Sequence, residues 1–332
     1  MRVGVTGGSI AATRSCFWRR LGKAKNDPSS GGSCTLRPMS PSPLRVAVAT
    51  MAALGLLLAP LGAQRQVFSA RTLAVRVDVL VVEGARPVAG LRAGDFDLRD
   101  NGVRQRVEVI DANEVPIQAI LALDTSASIQ GARHPALIAA GEALLDGLKP
   151  DDRAGLVTFS HAITSKIPPT TDLRAVREAL QDLTPSGRTS IMDGVYVALT
   201  STLDQSVRSL VVLCTDGSDT TSWLQPSEVL EASQRANAVI YAVTASEGRR
   251  SSALKQLTDG TGGQVLQAKS SSDLRPAFQR ILTEFRSRYV LAYTPEGVDA
   301  GGFHRLDIAV PGRKVTVKAR TGYIGVEPSR QP

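Results

Sequence analysis

An open parallel β-sheet with helices on both faces, joined to a small β layer built from both flanks, is the fold this sequence predicts. Three observations carry it. Between residues 116 and 286, continuous apolar runs at 117–123, 156–159, 210–214 and 239–243 alternate with segments of helical periodicity. Strands that are apolar on both faces belong to a parallel sheet buried between helices, because an antiparallel sheet commonly keeps one wet face. Before that stretch, Val75, Val77, Val79 and Val81 recur at a period of two, and after it residues 287–325 return to short strand-like runs.

Composition sets the limits. The chain has 332 residues, 42% hydrophobic and 21% charged, enough for two ordinary domains and too apolar for disorder. Aromatic residues make up 4%, so the core must rest on Val, Leu, Ile and Ala. The formal charge of +8 is concentrated at the start: residues 1–63 hold eight Lys and Arg against one acid, Asp27, which leaves the remainder at +1. A near-neutral folded part offers no electrostatic footprint for nucleic acid. Cys16 and Cys34 lie in the leader, and Cys214 stands alone inside the run 210–214. One thiol makes neither an internal disulfide nor a cysteine-paired zinc site, and here it reads as a small buried hydrophobe.

Taken in order, residues 1–38 are rich in Gly, Ser and Arg without periodicity and read as a non-native leader extension. Their opening, Val3-Gly4-Val5-Thr6-Gly7-Gly8-Ser9, imitates the glycine turn of a dinucleotide fold but runs into Arg, Lys and Ser-Gly tracts rather than a helix and second strand. Met39 opens a second start. Its basic residue Arg45, the apolar stretch 46–58 and the small-residue end Ala59-Pro60-Leu61-Gly62-Ala63 follow the order of an export signal, so 39–63 is a signal peptide cleaved after Ala63. The alternative is an uncleaved anchor over 46–63, just long enough to approach a bilayer span of ~30 Å. The product is then exported, periplasmic or secreted, or held at the membrane.

Residues 68–115 form an N-terminal β segment. Asp100-Asn101-Gly102 marks a hairpin whose central positions tolerate positive φ, with Val103, Val107 and Val109 returning on the partner strand. Residues 116–286 are the α/β part, Rossmann-like in type. Leu173, Val176, Leu180 and Leu183 share one helical face, as do Met192, Val195, Leu199 and Leu203. Leu274, Phe278, Ile281, Leu282 and Phe285 form a last helix that Asp273 caps. Residues 287–325 read as a three-stranded meander, with strands at 289–293, around Leu306, Ile308 and Val310, and around Val315 and Val317. Such a meander is poorly buried alone, so it packs with the 68–115 strands as one β layer. Residues 326–332 are a tail.

The chemistry gathers at the ends of the core strands. Asp124-Thr125-Ser126-Ala127-Ser128 follows the first apolar run, Gly187-Arg188-Thr189-Ser190 precedes a helix, and Thr215-Asp216-Gly217 ends the run 210–214. In open α/β sheets ligands collect at this carboxyl edge, near the point where strand order reverses. Asp124 and Asp216 with the hydroxyls of Ser126, Ser128 and Thr189 are hard oxygen donors, suited to Mg²⁺ or Mn²⁺ rather than zinc or copper. If the hydroxyls touch the ion while the aspartates act through waters, its charge stays poorly neutralised and an incoming carboxylate takes an open position. Each motif alone has a plainer reading: Ser126 and Ser128 as helix caps, Thr189-Ser190 with Asp193 as a capping arrangement, Asp216-Gly217 as a turn. Their convergence on one edge favours the metal.

This set resembles the metal-ion-dependent adhesion site of von Willebrand factor type A domains, over roughly residues 116–286. Leu91-Arg92-Ala93-Gly94-Asp95-Phe96, Asp100-Asn101-Gly102-Val103-Arg104-Gln105, Arg288-Tyr289-Val290-Leu291-Ala292-Tyr293-Thr294-Pro295 and Arg320-Thr321-Gly322-Tyr323 further resemble the bacterial secreted VWFA-related group. The resemblance implies an exported, non-enzymatic, adhesion-type module that holds Mg²⁺ or Mn²⁺ and captures a carboxylate of a protein partner. Arg188 stands where the family commonly has a second glycine, and a guanidinium there shades the metal or holds an acidic partner. Asp219 reads as a supporting or solvated loop acid, and Trp223 as an exposed binding anchor or half-buried packing. His134, His161 and His304 are scattered in surface or packing roles. A metal-assisted hydrolase lacks a Ser-His or Cys-His motif, and no P-loop is present. A non-catalytic subunit of an ATP-driven assembly or metal-insertion complex is the remaining alternative, opposed by the export signal.

Overall fold

The computed structural model describes residues 74–202, 204, 206–216, 219–244 and 251–325. The expectations for the leader 1–38, the export segment 39–63, residues 68–73, Leu203, Gly217 and the tail 326–332 lie outside these residues, as do those for Cys16 and Cys34. Among the described residues, no helix is long and apolar enough to cross a membrane.

In chain order, the first flank holds β1 (Val75–Glu83), β2 (Arg86–Pro87), β3 (Asp97–Asp100), β4 (Val103–Arg104) and β5 (Glu108–Ile110). The α/β part runs β6 (Ile117–Asp124), α1 (Arg133–Asp146), β7 (Arg153–Phe159), β8 (Ile163–Thr170), α2 (Leu173–Gln181), α3 (Ile191–Thr200), β9 (Arg208–Thr215), α4 (Pro226–Arg235), β10 (Ala238–Thr244), α5 (Ser252–Gly260), β11 (Val265–Gln267) and α6 (Leu274–Arg286). The second flank holds β12 (Tyr289–Tyr293), β13 (Gly302–Ala309), β14 (Thr316–Lys318) and β15 (Gly322–Gly325).

The central sheet has the order β11-β10-β9-β6-β7-β8. Every residue of β6 and β9 is buried, as strands apolar on both faces require. One face packs on α1, α2 and α6 through Leu137, Leu144, Val176, Phe278 and Phe285; the other packs on α3, α4 and α5 through Val195, Leu199, Val229 and Leu254. From β6 the chain moves out through β7 to one side and later returns at β9 to build the other, so the switch point lies between the carboxyl ends of β6 and β9. One strand departs from the expected parallel sheet: β8 runs antiparallel to β7 at the edge. Its Ile-Pro-Pro-Thr end carries Pro168 and Pro169, which cannot donate to a ladder and belong at an edge.

The flanks differ from the single β layer and meander expected of them. β12 does not pair with β13. The strands are instead dealt between two antiparallel sheets, β14-β1-β12-β5 with β2 on β1, and β15-β13-β3-β4. Both bury their inner faces in one shared core containing Val77, Val79, Phe96, Leu98, Leu291 and Leu306. The hairpin turn conforms, with φ of 47° and 83° at Asn101 and Gly102, but only Val103 returns on the partner strand: Val107 lies in no strand, and Val109 belongs to β5, which pairs with β12. Its Asp100 is buried and accepts bonds from Tyr293 Oη and Tyr323 Oη at 2.8 and 2.9 Å, with His304 Nδ1 2.9 Å from its other oxygen. Asp273 does not cap α6; its carboxylate turns back to the Ser270 N–H at 2.8 Å.

Two buried arginines join the flanking sheets to the α/β part. Arg208, the first residue of β9, sets its guanidinium 2.6 Å from Asp78 of β1, donates to the Phe285 carbonyl at 2.9 Å and lies over the Phe285 ring. Arg288 donates to the Gly262 carbonyl at 2.6 Å, to Tyr241 Oη at 2.9 Å and to the Asp78 carbonyl at 3.3 Å. Removing one partner of a buried ion pair strands the other charge. Asp78→Ala is therefore expected to lower the unfolding free energy by about 3–5 kcal/mol in urea melts. A loss below about 1 kcal/mol would mean the pair behaves as a solvated one.

Candidate metal centre

The burial of β6 carries Asp124 to the switch point, where its carboxylate is out of reach of bulk water. Asp124 Oδ1 accepts the Ser126 N–H at 2.8 Å, and Oδ2 accepts the Thr215 hydroxyl at 2.6 Å. The turn at Ala127–Ile129 then sets Ser126 Oγ 2.8 Å from Ser128 Oγ, and Ser128 Oγ donates to Asp216 Oδ1 at 2.6 Å. The remaining oxygen of Asp216 is held by Arg133 Nη1. Asp124, Ser126, Ser128 and Asp216 thus form one continuous polar chain across two loops far apart in sequence.

A third loop is tied in by its backbone. Thr125 N–H donates to the Phe159 carbonyl at 2.8 Å, Ser186 N–H to the Thr125 carbonyl at 2.7 Å and Ala127 N–H to the Gly187 carbonyl at 3.0 Å. Gly187 has φ of 78°, and a Cβ there would lie 1.9 Å from His161 Nδ1, so only glycine lets this loop close beneath the His161 ring. Thr189 is fixed by its main chain: its N–H donates to Thr220 Oγ1 at 3.2 Å, and its carbonyl accepts the N–H groups of Thr220 and Thr221 at 2.9 and 3.2 Å. Its side chain joins none of the bonds of the Asp124–Asp216 chain. Neither serine caps a helix, and Ser190 makes no side-chain cap on α3.

The electrostatics follow from burial. Desolvation pushes the Asp124 carboxyl above the ordinary aspartate range; the bonds from Thr215 and Ser126 oppose that shift, and the charge of Asp216 adds to it. Burial also pushes the Cys214 thiol up, in keeping with a packing role. Among the described residues no three His, Cys, Asp or Glu side chains gather, so an ion at this edge would be held by hydroxyls together with carboxylates. An all-oxygen donor set with two acids fits a hard divalent cation.

Around this edge, Arg188 is exposed and makes no hydrogen bond or ion pair among the described residues. Asp219, for which a supporting and a solvated role stood open, takes the supporting one: it accepts the Met192 N–H at 2.9 Å and the Ser222 N–H and hydroxyl at 3.1 and 2.7 Å. Both oxygens are occupied in fastening the 219–222 loop to the start of α3. Trp223 is 90% exposed rather than half-buried. Asp193 accepts the N–H groups of Trp223 and Leu224 at 3.0 and 2.9 Å, so the indole projects from a pinned backbone. Sequence reasoning misses Arg133 and misplaces Asp193: nothing local announces an arginine that pairs with an acid 83 residues away, or an aspartate that anchors another loop.

Residues 119–218 match the von Willebrand factor type A domain. No curated protein matches the chain. Among solved structures, a von Willebrand factor type A protein from Catenulispora acidiphila is similar over 75% of this chain and 73% of that one, at 12% identity and a TM-score of 0.48. Proximal thread matrix protein 1 of the mussel byssus, in a form with a zinc-occupied MIDAS motif, shares 18% identity over 55% of this chain and 49% of that one, at a TM-score of 0.47. The chain thus spans about half the length of the mussel protein. The vWF domain of the type V pili tip protein Mfa5 from Porphyromonas gingivalis shares 14% identity over 51% of this chain and 94% of that one, at a TM-score of 0.43.

The raised Asp124 carboxyl has a sign that can be measured. Without metal, the folded state holds this proton more tightly than the unfolded state, so the associated stability is full below the ordinary aspartate value of 3.8 and is lost as pH rises through the folded value. Urea melts in chelator across this range are expected to show that loss in the wild type and a smaller one in Asp124→Asn. Equal slopes in the two proteins would remove Asp124 as its source.

Proposed function

This chain carries a von Willebrand factor type A domain, and we propose that its switch-point edge binds Mg²⁺ or Mn²⁺ and, through that ion, a carboxylate of a protein partner. The observation that supports this reading most directly is the unbroken polar chain Asp124–Ser126–Ser128–Asp216 at the carboxyl ends of β6 and β9. Ser126, Ser128 and Thr189 would offer neutral hydroxyls, and Asp124 and Asp216 the negative charge. When bound, a hard cation supplies an electrophilic position for an outside carboxylate. The chain's own groups do the rest. Thr215 and the Ser126 N–H hold the Asp124 carboxylate in one orientation, and main-chain bonds tie residues 186 and 187 to Thr125 and Ala127.

The partner would approach from the side where Arg188 and Trp223 are exposed, the first offering a counter-charge to an acidic partner and the second an aromatic anchor. We read the role as binding rather than catalysis: the Ser126 and Ser128 hydroxyls lean on each other and on Asp216, and among the described residues no imidazole bonds to either. Export, in the manner of the bacterial secreted VWFA-related group, is supported by the charge–apolar–small order of residues 39–63.

Mg²⁺ is expected to raise the melting temperature, since a ligand of the native state alone stabilises by about 2.7 kcal/mol at a hundred times its Kd. Asp124→Ala and Thr189→Ala should each lose that increment while remaining folded by circular dichroism. A Mg²⁺ response unchanged in both variants would sink the site. Capture of a partner from envelope extract should require Mg²⁺ and cease in chelator.

A further inference from the structure

Arg133 is the first residue of α1, where helix electrostatics disfavour it. The positive end of the helix dipole repels a cation, the first turn contains no acid, and Ala132 makes no side-chain cap. A residue set against its local preference marks a place where another constraint prevails. The constraint here is Asp216. Its side chain is fully buried, and the Arg133 side chain, 39% exposed overall, reaches in to hold Oδ2 while Ser128 holds Oδ1.

We propose that Arg133 sets the charge of the metal centre, trading tightness of cation binding for strength of carboxylate capture; this rests on the metal-binding reading above. Asp124 and Asp216 bring two negative charges to the edge, and Arg133 returns one positive charge. A divalent cation therefore leaves a net charge of about +1 with the arginine and about 0 without it, by simple Coulomb counting. A residual positive charge is what an incoming carboxylate neutralises. The same guanidinium repels the cation and draws charge density from Asp216, so it weakens the metal's hold. Substitution should move the two affinities in opposite directions, which a merely structural ion pair would not do.

The test measures Mn²⁺ alone by the loss of its free electron paramagnetic resonance signal, on the full chain. Arg133→Met is expected to bind Mn²⁺ about tenfold more tightly than wild type, or about 1.4 kcal/mol. Acetate, added as a plain carboxylate probe to the Mn²⁺-loaded protein, should need about tenfold more to perturb the bound-metal spectrum. Arg133→Lys keeps the charge and should stay near wild type. If Arg133→Met fails to fold, Arg133→Gln keeps a hydrogen bond to Asp216 without the charge and should show the same two shifts. Arg235→Met removes a charge paired with Glu231 on α4 and should change neither affinity. Mn²⁺ binding unchanged or weakened in Arg133→Met and Arg133→Gln would overturn the inference alone. No Mn²⁺ binding by wild type would overturn the metal site itself, and this inference with it.

Discussion

A carboxylate at the end of a strand with no exposed residue must find its hydrogen bonds inside the protein. That requirement on Asp124 organises the carboxyl edge of the central sheet. An unpartnered buried carboxylate is costly, so the Ser126 N–H of the following loop and the Thr215 hydroxyl of the neighbouring strand are drawn to it. Thr215 ends the neighbouring strand, so satisfying Asp124 also fixes the register in which Asp216 meets Ser128. The polar chain is thus a by-product of burying one acid, and it leaves oxygen atoms from separate loops side by side.

The opposite edge of the sheet solves a related problem with the opposite charge. Arg208 and Arg288 are buried where the flanking sheets meet the α/β part, and both place guanidinium groups on Asp78, on carbonyls and on ring faces. Arg208 opens the strand that Thr215 closes, so the two polar systems stand ~23 Å apart along β9 at ~3.3 Å per residue. Changes that tune the carboxyl edge need not disturb the seam that holds the two parts together.

Much of this is legible in the sequence where a local pattern has a single physical meaning. The four continuous apolar runs correspond to β6, β7, β9 and β10, because only a sheet covered on both faces buries such strands. The Asn101-Gly102 turn is legible because few residues accept positive φ. What escapes is non-local. Val290 pairs with Ile110 across nearly the whole α/β part, and no pattern within 287–325 reveals that its strands join two sheets rather than one meander. β8 hides because Pro168 and Pro169 interrupt any apolar run. An acid misleads for the same reason: Asp273 sits where a cap is expected, yet turns its carboxylate onto a different neighbour. Arg133 meets its partner only after folding.

The pairing of β5 with β12 places the departure and return of the α/β part next to each other, joined by main-chain bonds. The α/β part is accordingly a closed loop clasped at its neck, and the entropy of gathering so long a loop is met once, by the ladder of the flanking sandwich. Tension arriving through the two flanks meets β5 and β12 at the same end of their antiparallel pair, so it opens the clasp rung by rung from Glu108 and Ala292 toward the α/β part.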